Sequence, residues 1–172
     1  ELIPSGIFLL LALVLPFVFY HVGGGFLHRL QKHLPEWLCI LTESYLKPLA
    51  WALRQTLFFA AVGLLPLVQK HATVASFLST LSTLLNIYFL ALGAWRSAPM
   101  CRLLLRSAQN HLDLATNQTM ARFFENIFRA LVLLFAGIAM LDTMGVPVTG
   151  LLTGAGVAGI AISLAAQSTL SN

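Results

Sequence analysis

The sequence predicts an all-α membrane protein with five transmembrane helices in each chain, and three observations carry that prediction. Hydrophobic residues make up 58% of the chain and charged residues only 9%, against about half and about a quarter in a soluble domain. The apolar residues gather into five runs close to the roughly 20 residues that a bilayer-crossing helix requires. Breakers such as Gly23-Gly24-Gly25, Pro66 and Pro147 stand at the ends of these runs, and most of the Lys and Arg lie between them.

The first run covers 2–21. It lacks a basic leading region and a small-residue cleavage site, so it reads as a span and not as a signal peptide. Pro4 is tolerable near its start, and Pro16 is expected to kink it. Residues 26–45 mix Phe26, Leu30, Trp37 and Leu41 with Arg29, Lys32, Glu36 and Glu43, a pattern suited to an interfacial amphipathic segment. The second span runs over about 45–68, with Arg54 inside it and near enough to its start to snorkel to the headgroups. Gln69-Lys70-His71 is a short turn, which makes the third span, 72–95, an antiparallel neighbour of the second. Thr73, Ser76, Ser79, Thr80, Ser82, Thr83 and Asn86 lie along it, and most of these hydroxyls are expected to bond within their own turn. Residues 96–120 form a polar connection with an apolar side. The fourth span covers 121–144 and holds Glu125 four residues before Arg129, the favoured order for a helical ion pair. Such a pair lets both charges sit near the membrane edge. After a turn at 142–147, the fifth span begins near Gly150. The chain starts at Glu1 and stops at Asn172 in mid-pattern, and it is expected to be part of a longer protein.

The positive-inside rule orients the spans. Arg29, Lys32, Lys47, Arg96, Arg102, Arg106 and Arg122 follow spans one and three, whereas Lys70 alone follows spans two and four. The N-terminus is therefore expected outside, with the C-terminal end of the fifth span in the cytoplasm. Cys39 and Cys101 then face a reducing compartment and are expected to form no disulfide.

Several chemistries find no support. Gly154-Ala155-Gly156-Val157-Ala158-Gly159 matches the dinucleotide fingerprint, but that motif needs a strand before it and an acidic residue about 20 positions on. No Asp or Glu follows Asp142. His21, His28, His33, His71 and His111 stand at no metal-ligand spacing. No nucleophile motif and no carboxylate pair is present, so neither an enzyme, a cofactor nor a metal is expected. The basic stretches are short and lack interleaved aromatics, which speaks against nucleic acid.

The fifth span carries a specific geometry. At 3.6 residues per turn, Thr153, Val157, Ile160, Leu164 and Gln167 fall on one stripe. Gly156, Gly159 and Ser163 flank it, and Gly154, Ala158, Ala161 and Ala165 lie opposite. A ring of close-packed helices around a pore would need such a pattern, with small residues where backbones meet and larger ones on the axis. Ile160 and Leu164 would then form apolar rings one turn apart, able to stop ions by dewetting. An ordinary small-xxx-small packing helix without a pore fits the spacing equally well.

Gly154–Asn172, GAGVAGIAISLAAQSTLSN, resembles the third membrane helix of the small-conductance mechanosensitive channel family. That helix shows Gly/Ala alternation, two large apolar residues four apart, then Gln and a run ending Leu-Ser-Asn. The turn before it, Met144-Gly145-Val146-Pro147-Val148-Thr149-Gly150, resembles the family's link into that helix. The resemblance implies a homo-heptamer in a bacterial inner membrane, gated by bilayer tension and passing ions and small osmolytes. It also implies a β-rich cytoplasmic domain beyond residue 172. Five spans resemble the larger members, in which outer helices precede a three-helix core. By position, Ile160 and Leu164 match the constriction residues, and Gly156 and Gly159 match the packing glycines. Ser163 stands where a glycine is common, and Ser168 stands where the family often has a kink glycine.

These readings divide the chain into outer helices (1–71), a tension-sensing pair (72–149) and a pore-lining helix (150–172). Opening enlarges the in-plane area, so tension does work on the protein, and the lipids themselves are partners. The alternatives are a solute-selective transporter or pore, and a non-conducting oligomeric scaffold.

Overall fold

The computed structural model describes residues 36–105 and 118–170, together with Val14, Leu15, Val18 and His21. The first expected span and residues 26–35 of the interfacial stretch lie outside the described residues, apart from those four helical positions. Five helices follow in order: α1 (Glu36–Gly63), α2 (Pro66–Gln69), α3 (Ala72–Ser97), α4 (Gln118–Thr143) and α5 (Thr149–Leu170). The described residues contain no strand.

Helix α1 differs from the expected layout. It starts at Glu36 and runs through Tyr45 without interruption, so residues 36–45 are its first turns and not a separate interfacial element. No Gly or Pro stands between Trp37 and Lys47 to break it, and Pro48 is carried inside the helix. Arg54 consequently stands about five turns from the helix start, farther in than a span beginning near Tyr45 would place it. The break comes at Leu64-Leu65. Leu65 is extended (φ −69°, ψ 135°), as the ring of a following proline requires. Pro66 then opens α2, where its fixed φ suits a first helical position and its missing N–H costs nothing. A residue expected near the end of a span is thus the corner of a turn.

Helices α1 and α3 pack antiparallel. As the chain advances from Tyr45 to Thr56, its partners on α3 recede from Gly93 to Ser82. The Tyr45 ring lies against Gly93, and Trp51 meets Phe89 with ring centroids 6.2 Å apart. Gln55 Nε2 donates to the Ser82 carbonyl at 3.1 Å, and Thr56 Oγ1 lies 3.1 Å from Asn86 Oδ1. The α3 hydroxyls Ser76, Ser79 and Thr83 instead donate to carbonyls three or four residues back in their own helix, as short hydroxyl side chains in helices tend to do.

After Ala98-Pro99 the chain continues helically over 100–105, so part of the polar connection prolongs α3. Helix α4 packs on α3 but not evenly. Between them opens an apolar cleft of about 530 Å³ whose walls include Ile87, Leu90, Phe128, Leu131 and Phe135. Alanines at 91, 94, 136 and 139 line it as well, too small to fill the gap between the helices.

Three helical stretches are long and apolar enough to cross a membrane: Ala72–Leu105, Thr119–Thr143 and Thr149–Gln167. They correspond to the third, fourth and fifth expected spans, and with them the chain is a multi-pass all-α membrane protein. Helix α1, with Glu43, Lys47 and Arg54 along it, is not among them.

Candidate pore helix

The path into α5 is set by the end of α4. Gly145 adopts φ +83°, the left-handed backbone that glycine reaches without steric cost. Its N–H bonds to the Asp142 carbonyl at 2.9 Å, and the Val146 N–H bonds to the Leu141 carbonyl at 3.0 Å. Together these are a Schellman motif, which satisfies carbonyls that a helix end leaves orphaned. Pro147 follows and prevents continuation. Helix α5 then begins at Thr149, with the Leu152 N–H on the Val148 carbonyl at 2.9 Å and Thr153 Oγ1 donating to the Thr149 carbonyl at 2.8 Å.

Helix α5 makes no extensive contact with the other described elements. From Gly150 to Gln167 every residue is exposed except Ala155, which is half-buried. Val157 and Ile160 are each 63% exposed and Leu164 is 61% exposed, on the stripe that also holds Thr153 and Gln167. Ile160 and Leu164 stand about 6 Å apart along the helix axis. Gly150, Gly154, Gly156 and Gly159 have no atom within 4 Å of where a Cβ would sit. Among the described residues, therefore, no close contact requires these glycines. A glycine inside a helix costs roughly 1 kcal/mol relative to alanine, so Gly154, Gly156 and Gly159 together carry a cost of roughly 3 kcal/mol that no packing among the described residues offsets. Ala158, Ala161 and Ser163 are equally open. The backbone remains helical through Ser168 to Leu170.

The expected pair between Glu125 and Arg129 is formed, with Arg129 Nη2 donating to Glu125 Oε1 at 2.7 Å. It belongs to a larger cluster that spacing did not reveal. Arg102, on the helical prolongation of α3, donates through Nε to Glu125 Oε2. The guanidinium of Arg129 also lies over the Trp95 ring, 5.2 Å from its centroid. Glu125 is 2% exposed, and each of its oxygens is held by an arginine. Arg102 lies 23 residues from Glu125 in sequence, so no local pattern announces the contact. The scarcity of acidic residues beside several arginines was the one available hint.

No curated protein and no solved structure matches the chain. Residues 126–167 match the family model described as mechanosensitive ion channel, transmembrane helices 2/3. The match covers α4 from the residue after Glu125, the Schellman turn, and α5 as far as Gln167. The resemblance read at the fifth span is supported by this match, in which most of α4 and α5 is similar to transmembrane helices 2/3 of mechanosensitive ion channels.

Proposed function

We propose that this chain is a subunit of a homo-oligomeric channel that opens under membrane tension and releases ions and small osmolytes during hypo-osmotic stress. The observation that carries the proposal is the bare, glycine-rich surface of α5 within a family-matched segment. A spanning helix that gives up side chains on two faces gains close backbone approach only from other helices, and copies of α5 around an axis supply them. Ile160 and Leu164 then form the gate, and Thr153, Val157 and Gln167 line the path on either side. A heptamer in a bacterial inner membrane, with the N-terminus outside, is the arrangement that the family resemblance and the charge bias favour.

Helix α1 joins the spanning set through its antiparallel seam with α3. A helix bonded to a spanning neighbour from Tyr45 to Thr56 is carried into the same layer, despite its charges. Tension favours whichever state occupies more area and shifts the equilibrium by that difference alone. The direct test is purified protein in liposomes, recorded under suction. Stepwise currents that rise with suction support the proposal. A silent membrane containing correctly assembled protein supports a non-conducting scaffold instead.

A further inference from the structure

We infer that Glu125, clasped by Arg102 and Arg129, is a positioning residue that transmits the motion of the outer helices to α5. The inference rests on the channel reading above and assigns a role to a cluster outside the pore helix. The packed helices form a chain of contacts, α1 on α3 and α3 on α4, while α5 makes no extensive contact with any of them. Among the described helices, whatever α1 and α3 do in a stretched membrane therefore reaches α5 chiefly by way of α4 and the short 144–148 turn. The α3–α4 contact is incomplete along its length, because the apolar cleft walled by Leu90 and Phe128 separates the helices. A second apolar hollow, lined by Cys101, Leu104 and Phe124, opens near Leu105. Phe128 and Leu131 line both gaps, and the clasp lies beside them, at the level of the second.

Among the described residues, no other side-chain hydrogen bond or ion pair joins α3 and its prolongation to α4. Both carboxylate oxygens of Glu125 are engaged, and the Arg129 guanidinium reaches back over Trp95 of α3. The attachment is thus made twice, once by Arg102 to Glu125 and once by Arg129 to Trp95. Charged groups at such a position are expensive unless paired, and removing one partner leaves the other unpaired. Geometry held this tightly moves as a unit: when α3 tilts, the clasped end of α4 follows, and the turn at Gly145 draws α5 with it. Without the clasp, α3 tilts while α4 lags, and more tension is needed to open the pore.

The experiment is patch recording of wild type, Glu125→Gln, Arg102→Gln, the double variant and Arg102→Lys, each checked for assembly on a native gel. Both single variants are expected to raise the threshold tension by a similar factor, with unitary conductance unchanged. The double variant should raise it no further, since contacting residues are non-additive. Arg102→Lys keeps the charge but loses the guanidinium fork, and its shift should be smaller. If Glu125→Gln fails to assemble, Arg102→Gln decides alone, because Glu125 keeps its bond to Arg129. Wild-type thresholds in the single variants, or full additivity in the double, overturn the role of the clasp and leave the channel reading intact. A wild type without stretch-activated current removes both.

Discussion

A methyl group placed on Gly93 would come 2.7 Å from Tyr45 Cδ1, closer than carbon atoms approach. Gly93→Ala should therefore push α1 away from α3 and cost about 1–3 kcal/mol, the usual range for overpacking. Thermal unfolding in detergent measures this, and Tyr45→Ala in the same chain should recover most of the loss. The four α5 glycines make the opposite case, because a Cβ at any of them meets no atom of the described residues within 4 Å. Sequence alone could not separate the two kinds, since Gly93 and Gly156 both stand in apolar runs and their difference lies in a ring 48 residues away. The bond from Glu125 to Arg129 was legible because four residues bring two side chains onto one helix face. Its continuation to Arg102 was not, because that contact depends on where α3 and α4 meet.

At the scale of the element, helices were more legible than their limits. Helices α3, α4 and α5 begin within a few residues of where hydropathy placed them, because loss of apolar character and the turn residues coincide there. For α1 they do not coincide. Its charged first turns look interfacial by composition, yet they continue a helix that nothing interrupts before Pro48. The end of α4 is the best determined boundary, since Gly145 supplies the left-handed residue that a Schellman motif requires. Gly145→Ala should cost about 1–2 kcal/mol from the strained backbone alone. It should also loosen the angle at which α5 leaves α4. A thermal shift in detergent checks the first effect, and a broadened spread of opening thresholds checks the second.

At the scale of the whole molecule, the described helices divide into a packed group, α1 to α4, and a final helix that makes no extensive contact with them. That division gives the glycines of α5 a use beyond the chain that carries them. Gly156→Leu and Gly159→Leu should fold as protomers but assemble poorly, with a reduced oligomer band on native gels after cross-linking. Variants with undiminished assembly would move the helix contact to another face of α5. The stripe of Thr153, Val157, Ile160, Leu164 and Gln167 was legible from 3.6-residue periodicity. What it faces was not, because α5 makes no extensive contact with the other described helices and periodicity within one helix names no partner. The central claim is that this stripe closes a tension-gated pore at Ile160 and Leu164. The most direct measurement is the threshold tension of Leu164→Ser and Ile160→Ser in excised patches beside wild type. A polar ring wets more readily, so both variants should open at lower tension than wild type. Thresholds unchanged in both, with normal assembly, would contradict the account.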